Sequence, residues 1–503
     1  MFGSLLNIFK IADLRRKVLV TVLLIMVYRI GAHVPCPFVD LDALRQFSQN
    51  FGGGGRSLFS MVDMFSGGAF KQMTIFALGI MPYITASIIL QLLTVVWPRL
   101  EKLAKEGEAG RKKINQYTRY GTVILAAFQS IGLGVYMLQN QLNLIDNRFL
   151  FIFTTMIAIT TGTCFIMWLG EKITEHGIGN GISLIIAIGI IAGYRNAIAI
   201  GIGDVGIERM AEVWLLIVPA LYLGVTVLVI IMQQANRKIP IQYARRTVGR
   251  REMQGSSNFL PLKINTAGVI PVIFSSSILM FPGIILNIFA GSEGGGALAG
   301  VQDWFNPTTE QNNLKMLLGI EKEGIFNLLK MANLYNVLYV LLTVFFCYFY
   351  TAITFNPVDT ADNLKRVGAF IPGRRPGKNT SDYIDYVLSR ITLVGSVFLV
   401  VVALLPNLLA VSFNVNFAFA NLIGGTGLII VAGVLLDLMK QIESQLLMRH
   451  YDGFKMRSRD LPGGGSRGAG RSRSGGGVFG GAAGGGNRTL GGGREPGRSS
   501  GRR

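Results

Sequence analysis

Ten long apolar stretches recur along this chain, and they constrain its fold more than any other feature. A helix needs about 20 mostly apolar residues to cross a bilayer, and every stretch except the short fifth approaches or exceeds that length. Only 15% of the residues are charged, against about 25% in soluble domains. The sequence therefore predicts an all-α polytopic membrane protein with ten transmembrane helices. The stretches are residues 18–33, 73–96, 118–138, 151–170, 180–195, 213–233, 266–290, 334–355, 388–411 and 422–438.

The loops between the stretches differ in basic charge. Loops 97–117, 234–265 and 356–387 are rich in Lys and Arg, whereas loop 406–421 has neither. Because basic loops stay on the cytoplasmic side, we expect both termini to be cytoplasmic. This rule explains most of the net charge of +20, so the charge alone does not indicate a nucleic-acid-binding protein.

Ten spans divide into two groups of five, which predicts an N-terminal half at 1–200 and a C-terminal half at 201–440. An odd number per half forces the halves into opposite orientations, the arrangement of an inverted repeat. Residues 79–84 read GIMPYI and residues 268–273 read GVIPVI, so Gly, Pro and Ile match in place. Gly and Pro are common in membrane helices, so chance similarity is the alternative.

Signals of ion coupling and catalysis are weak. Spans two, four, six, seven and eight contain no ionisable side chain apart from Tyr and Cys, although coupled transporters usually carry such residues at mid-membrane. The three Cys and three His residues have no metal-site spacing, and no phosphate-loop or dinucleotide motif is complete. We expect no enzyme activity, cofactor or metal, while a transporter of a neutral solute stays open. Charged residues near span ends are interpreted as headgroup contacts: Arg29, Arg119, Arg195, Arg390 and Asp437.

Several motifs, in this order and on this topology, resemble those of the SecY family of bacterial protein-conducting channels. The resemblance runs over about residues 1–455. The motifs are residues 64–68 (MFSGG), 76–93 (FALGIMPYITASIILQLL), 105–111 (KEGEAGR), 116–122 (QYTRYGT), 177–183 (GIGNGIS), 260–265 (LPLKIN), 355–357 (FNP) and 360–365 (TADNLK).

The resemblance implies a central pore between the halves, closed by a ring of aliphatic side chains and a plug. Segment 58–70 suits a plug because it is apolar, too short to span, and ends in two glycines that can bend it back. An ordinary amphipathic loop is the alternative, and the ring isoleucines could be plain helix packing. The implied ring is Ile80, Ile84, Ile186, Ile273 and Ile430, and the implied plug includes Met61, Met64, Phe65, Gly67 and Gly68.

The same resemblance implies a lateral gate between spans two–three and seven–eight, through which hydrophobic segments enter the lipid. Its candidate polar contacts are Thr85, Gln91, Ser275, Ser276 and Ser277. Generic packing of small polar residues is the alternative. Basic loops 234–265 and 356–387 are implied docking sites for the SecA ATPase and for ribosomal RNA, a polyanion. Their candidate residues are Arg245, Arg246, Arg250, Arg251, Arg374 and Arg375.

The implied partners are SecE- and SecG-like small membrane subunits, SecA, the ribosome, secretory preproteins, nascent membrane proteins and lipids. The implied location is the bacterial plasma membrane. Residues 441–503 form a predicted cytoplasmic tail, rich in Gly and Arg and disordered from about 461, which departs from the family pattern. RNA or anionic lipid could bind this tail, or it could be merely solvated. An accessory paralogue with narrow clients is a further alternative.

Overall fold

A computed structural model describes most of the chain and is mainly helical. The described residues are 11–40, 42–44, 63, 66–206, 214–243, 246–248, 251–253, 257–279, 334–413, 419–421 and 424–459. The helices are α1 (Ala12–Gly31), α2 (Met81–Val96), α3 (Pro98–Lys105), α4 (Glu108–Gln139), α5 (Arg148–His176), α6 (Gly181–Gly206), α7 (Trp214–Gln234), α8 (Ile270–Leu279), α9 (Leu334–Thr354), α10 (Pro357–Val367), α11 (Lys378–Phe413) and α12 (Gly425–Arg459).

Each of the ten predicted spans overlaps a helix. Among the described residues, 7 helices are long and apolar enough to cross a membrane, or 8 if α2 and α3 form one bent span. Helices α2 and α3 meet at an angle of 100°. Helix α1 and the short α8 overlap the first and seventh predicted spans. The all-helical membrane architecture is therefore confirmed.

The second predicted span differs in its first third. The sequence predicts a span from residue 73, but α2 begins at Met81 and residues 67–80 form turns and a bridge. Gly67, Gly68 and Gly79 have φ of 70°, 90° and 54°. Those angles lie in the left-handed region, which interrupts a right-handed helix and which glycine tolerates best. Hydropathy alone could not detect this interruption.

Two predicted basic loops pair in a small antiparallel sheet. Strand β1 (Asn236–Tyr243) pairs with β4 (Ser257–Lys263) on one side and with β5 (Ala369–Phe370) on the other. Strands β2 (Arg246–Val248) and β3 (Arg251–Met253) form a separate hairpin. Because β5 belongs to loop 356–387 and β1 to loop 234–265, the sheet joins the two loops into one surface.

The chain divides into a compact unit, Met1–Leu447, and a second unit, Met448–Arg503. In the second unit, residues 448–459 are described and helical. The predicted disorder from about 461 lies outside the described residues. In the first unit, one large apolar cluster draws on α1, α2, α4, α5, α6, α8, α9, α11 and α12.

Close packing of α5 against the non-helical segment 67–80 depends on a small residue. A Cβ atom added to Gly162 of α5 would collide with the carbonyl oxygen of Ile75. The neighbouring Ile159 and Ile166 are fully buried at 0% exposure. Without a hydrophobic force between helices in lipid, such close approach is a main source of association.

Gly162→Ala should therefore destabilise the protein. We expect a loss of about 1–3 kcal/mol, the usual cost of overpacking, because the colliding atom is backbone and cannot rotate away. The measurement is the midpoint of thermal unfolding in detergent micelles. Gly224→Ala in α7 is the matched control, since an added Cβ there meets nothing within 4 Å. Equal midpoints for both variants would contradict the packing argument.

Candidate functional site

Residues 79–84 and 268–273, whose sequences align, begin their helices in the same way. Gly79 and Gly268 both have positive φ, 54° and 66°. Helix α2 begins two residues after the first glycine and α8 two residues after the second, each with proline as its second residue. The amide of Ile84 donates to the carbonyl of Ile80 at 3.1 Å, and that of Ile273 donates to Val269 at 3.3 Å. The aligned residues thus share a local conformation, while the division into halves stays a prediction.

The five predicted ring isoleucines meet in the central apolar cluster. They lie on α2 or directly before it, and on α6, α8 and α12. Ile80, Ile84, Ile186 and Ile430 are 4%, 7%, 4% and 0% exposed, and Ile273 is half-buried against the same cluster. Side chains of this kind offer no hydrogen bond or charge to a passing molecule. Their role as a constriction stays a prediction.

The end of the predicted plug is a tight turn with its own hydrogen bonds. Met61, Met64 and Phe65 lie outside the described residues. The hydroxyl of Ser66 donates to the carbonyl of Asp63 at 3.1 Å and accepts from the amide of Phe70 at 3.1 Å. The amide of Gly68 also donates to Asp63 O, at 2.9 Å. The predicted bend at Gly67-Gly68 agrees with their positive φ angles.

The side chain of Asp63 also stabilises this turn, through contacts with Lys71. One carboxylate oxygen accepts from the amide of Lys71 at 2.9 Å, and the other lies 3.8 Å from the Lys71 ammonium. Burial raises the pKa of the Asp63 carboxyl, and the contacts with Lys71 oppose that rise. Asp63 therefore stabilises the turn that residues 66–71 form.

Two residues of α1 contact the turn, and the sequence analysis missed both. The hydroxyl of Tyr28 donates to the carbonyl of Ser66 at 3.3 Å, and Nη1 of Arg29 donates to that of Gly67 at 3.4 Å. Arg29 had been interpreted as a headgroup contact. The adjacent Tyr and Arg near the end of an apolar span were the one sequence feature that could have indicated these contacts. Their partners lie 38 positions further along the chain, so only the fold brings each pair together.

The predicted gate residues divide into two groups. Thr85 and Gln91 are half-buried and hydrogen-bond within α2, to Met81 O at 3.1 Å and Ser87 Oγ at 3.5 Å. Ser275, in contrast, is fully buried and accepts from Thr343 of α9 at 2.9 Å. This bond joins the seventh and eighth spans, so it ties together one side of the predicted gate.

The other two gate serines are also buried, at 1% for Ser276 and 3% for Ser277. Ser276 donates to the carbonyl of Ile273 at 3.0 Å, within α8. The hydroxyl oxygen of Ser277 is buried and has no hydrogen-bond partner among the residues that the structure describes. A buried hydroxyl without a partner is costly, which makes this point of α8 suited to a change of contacts.

The predicted docking arginines differ in how the structure holds them. Both Arg374 and Arg375 are exposed, but Arg374 lies over the ring of Tyr383, 5.0 Å from its centroid. The Arg375 carbonyl accepts from Thr380 Oγ1 at 2.9 Å, which fixes the backbone under the exposed side chain. Gly373 and Gly377, with φ of 78° and 102°, make the turn possible.

The remaining docking arginines belong to the hairpin region. The backbones of Arg246 and Arg251 lie in β2 and β3, where Arg246 pairs with Met253 and Arg251 with Val248. Arg245 and Arg250 lie outside the described residues. The sheet of β4, β1 and β5 packs on α11 through an apolar cluster of its own, which steadies the surface: Ile239, Leu262, Ile371, Ile384 and Leu388.

A polar cavity of about 480 Å³ opens beside the ring helices. Its lining combines both signs of charge with amide and hydroxyl groups, including Lys263, Asp437, Lys440, Asn180 and Ser183. Within the part of the chain that the structure describes, no three His, Cys, Asp or Glu side chains converge as a metal site would require. The cavity therefore places charged and polar side chains beside the helices that carry the predicted ring.

Comparisons with known proteins identify a family model and relatives that are similar to this chain. The family model described as SecY matches residues 74–439. The protein translocase subunit SecY of Streptomyces galbus is 46% identical over 467 residues, covering 90% of this chain and 100% of the relative.

Two solved structures share the fold. A SecY structure, reported with a plug domain that stabilises the closed state of the translocation channel and maintains a membrane seal, has a TM-score of 0.56 at 20% identity. It covers 86% of this chain and 92% of that one. Sec61 in the canine ribosome–channel complex has a TM-score of 0.52 at 18% identity, with the same coverage. The family model, which matches more than half of the chain, and the Streptomyces relative together show that the chain belongs to the SecY family.

Proposed function

We propose that this protein is the channel-forming subunit of a protein translocase, through which unfolded polypeptides cross a membrane. One observation carries the proposal: isoleucines from four separate elements meet in one apolar cluster, with a sharply turned segment packed beside them. An apolar constriction excludes ions by dewetting. It also binds no side chain strongly, so it suits a path for many different sequences.

The turn formed by Asp63 and residues 66–71 is the base of the proposed plug. A Cβ on Gly79 would lie 3.5 Å from Cα of Ser66, and Gly79 directly precedes the ring residue Ile80. The plug base therefore lies against the ring, where it can seal the resting pore. Non-helical chain at membrane depth is tolerated when it is buried in protein in this way.

A lateral gate is the exit proposed for hydrophobic segments. Its two sides would be α2 with α4 and α8 with α9. The bond from Thr343 to Ser275 and the edge-on contact of Phe274 with Phe346, at 5.7 Å between centroids, support movement of α8 and α9 together. On the other side of the gate, Gly121 of α4 lies close to Ala86 of α2, which supports movement of α2 and α4 together.

Docking of a driving partner is proposed for the joined cytoplasmic surface. The ribosome is a partner of the Sec61 channel that shares this fold, and exposed arginines suit contact with ribosomal phosphates. SecA is the second proposed partner, with Arg375 as its contact. SecE- and SecG-like subunits, a bacterial plasma membrane location and cytoplasmic termini complete the proposal.

A stalled secretory polypeptide tests the central proposal. A photo-crosslinking amino acid is placed at Ile84, with Ile89 as the matched position on the same helix, since Ile89 is 43% exposed and faces away from the cluster. We expect crosslinks to the secretory chain from position 84 and not from 89, and none to a stalled cytosolic chain. Absence of any crosslink at 84, with the driving partners active, would favour the solute transporter.

A further inference from the structure

The turn at the plug base is a rigid unit that the protein holds from outside. Inside the turn, Ser66 and Asp63 satisfy the backbone groups of residues 68, 70 and 71 at 2.9–3.1 Å. Ser66 is 2% exposed and Asp63 is 7% exposed. A turn whose polar groups are paired internally should move as one body. Its position therefore depends on its contacts with neighbouring helices.

Helix α1 supplies two of these outer contacts. The Tyr28 hydroxyl and the Arg29 guanidinium donate to the consecutive carbonyls of Ser66 and Gly67, at 3.3 and 3.4 Å. Tyr28 is 2% exposed, and its ring stacks on Phe76 at 6.1 Å between centroids. The ring is thus held in place, and its hydroxyl is aimed at the turn.

The side of the turn that faces Arg29 also lies against α6, because a Cβ on Gly67 would lie 3.1 Å from Nη1 of Arg29. A Cβ on Gly67 would come within 2.9 Å of Cα of Gly189. Gly189 is three residues from the ring residue Ile186, on the same helix. The turn is therefore in contact with both α1 and the helix that carries part of the ring, and it cannot leave this position without breaking its two hydrogen bonds to α1.

We propose that Tyr28 and Arg29 are positioning residues that latch the plug base against the apolar ring and so set the resting balance between closed and open channel. The proposal rests on the proposed channel function. Each of the two residues acts through a backbone carbonyl of the turn, so its loss should favour the displaced plug without altering the ring itself.

The test is the ion conductance of the full-length chain, with its co-purifying subunits, in planar bilayers without any client or driving partner. We expect Tyr28→Phe with Arg29→Gln to raise the resting open probability roughly tenfold, as loss of two weak hydrogen bonds would. Arg29→Lys with native Tyr28 should restore most of the closure, because an ammonium can still donate. A purely structural defect would not be rescued in this way.

Tyr348→Phe is the matched control. It removes a hydroxyl-to-carbonyl bond of 3.2 Å between α9 and α11, away from the turn. It should leave the resting conductance unchanged. Wild-type conductance in the folded double variant, or an equal rise in the control, would overturn the latch. Client transport by the wild-type protein in the same bilayers is measured separately, so failure of the channel function itself is distinguishable.

Discussion

Replacing Ile84 and Ile273 by glycine should raise the resting ion conductance by at least about tenfold, because a wider and less apolar constriction no longer stays dewetted. Both residues occupy the same position in the two aligned helix starts, four residues after a backbone carbonyl that accepts their amide. Removing both side chains therefore opens the constriction from two helices at once. The measurement is single-channel conductance in planar bilayers without client.

Glycine also weakens a helix, by about 1 kcal/mol relative to alanine, so the control must carry the same cost. Ile89→Gly with Ile353→Gly meets this need, since these residues are 43% and 48% exposed on α2 and α9. The control should conduct like the wild type. If the ring variant stays closed while it folds and inserts normally, the ring assignment is wrong.

Reversing the charge of Arg375 should reduce SecA-driven translocation more than ribosome-coupled membrane insertion. We expect Arg375→Glu to reduce SecA-driven translocation by roughly 30-fold or more, because loss of a specific interfacial charge contact costs about 2–5 kcal/mol. Ribosome-coupled membrane insertion should fall much less, since phosphate contacts are spread over many basic side chains. The measurement compares protected preprotein in ATP-supplied vesicles with insertion of a nascent membrane protein.

Two neighbours in the same turn provide the controls for this prediction. Lys378→Glu changes the same charge at an exposed position three residues away and should have little effect. Arg374→Glu should act partly through the fold, because it removes the contact of Arg374 with the Tyr383 ring. Equal loss of both driving modes in Arg375→Glu would contradict the proposed division of roles.

Hydropathy patterns could not predict the contacts of Tyr28, Arg29 and Ser275 with their distant partners. Each residue stood in the sequence as a member of an apolar span, with partners 38 or 68 positions away. Pairing at such separations depends on the order in which helices pack, which hydropathy does not contain. The left-handed conformation of Gly79, which interrupts the second predicted span, was equally hidden, because an apolar run reads the same in a helix and in a buried turn.

The sequence by itself determined the helical membrane class and the family, while the pore ring stays a prediction. It could do so because a bilayer demands long apolar helices with basic loops on one side, and because the motifs recur in a fixed order. Only the tertiary structure decided that β1 and β5 join the two basic loops, that Arg375 is exposed while Arg374 packs on Tyr383, and that α1 holds the plug base. These features depend on distances between segments far apart in the chain, and such distances are set only when the helices pack.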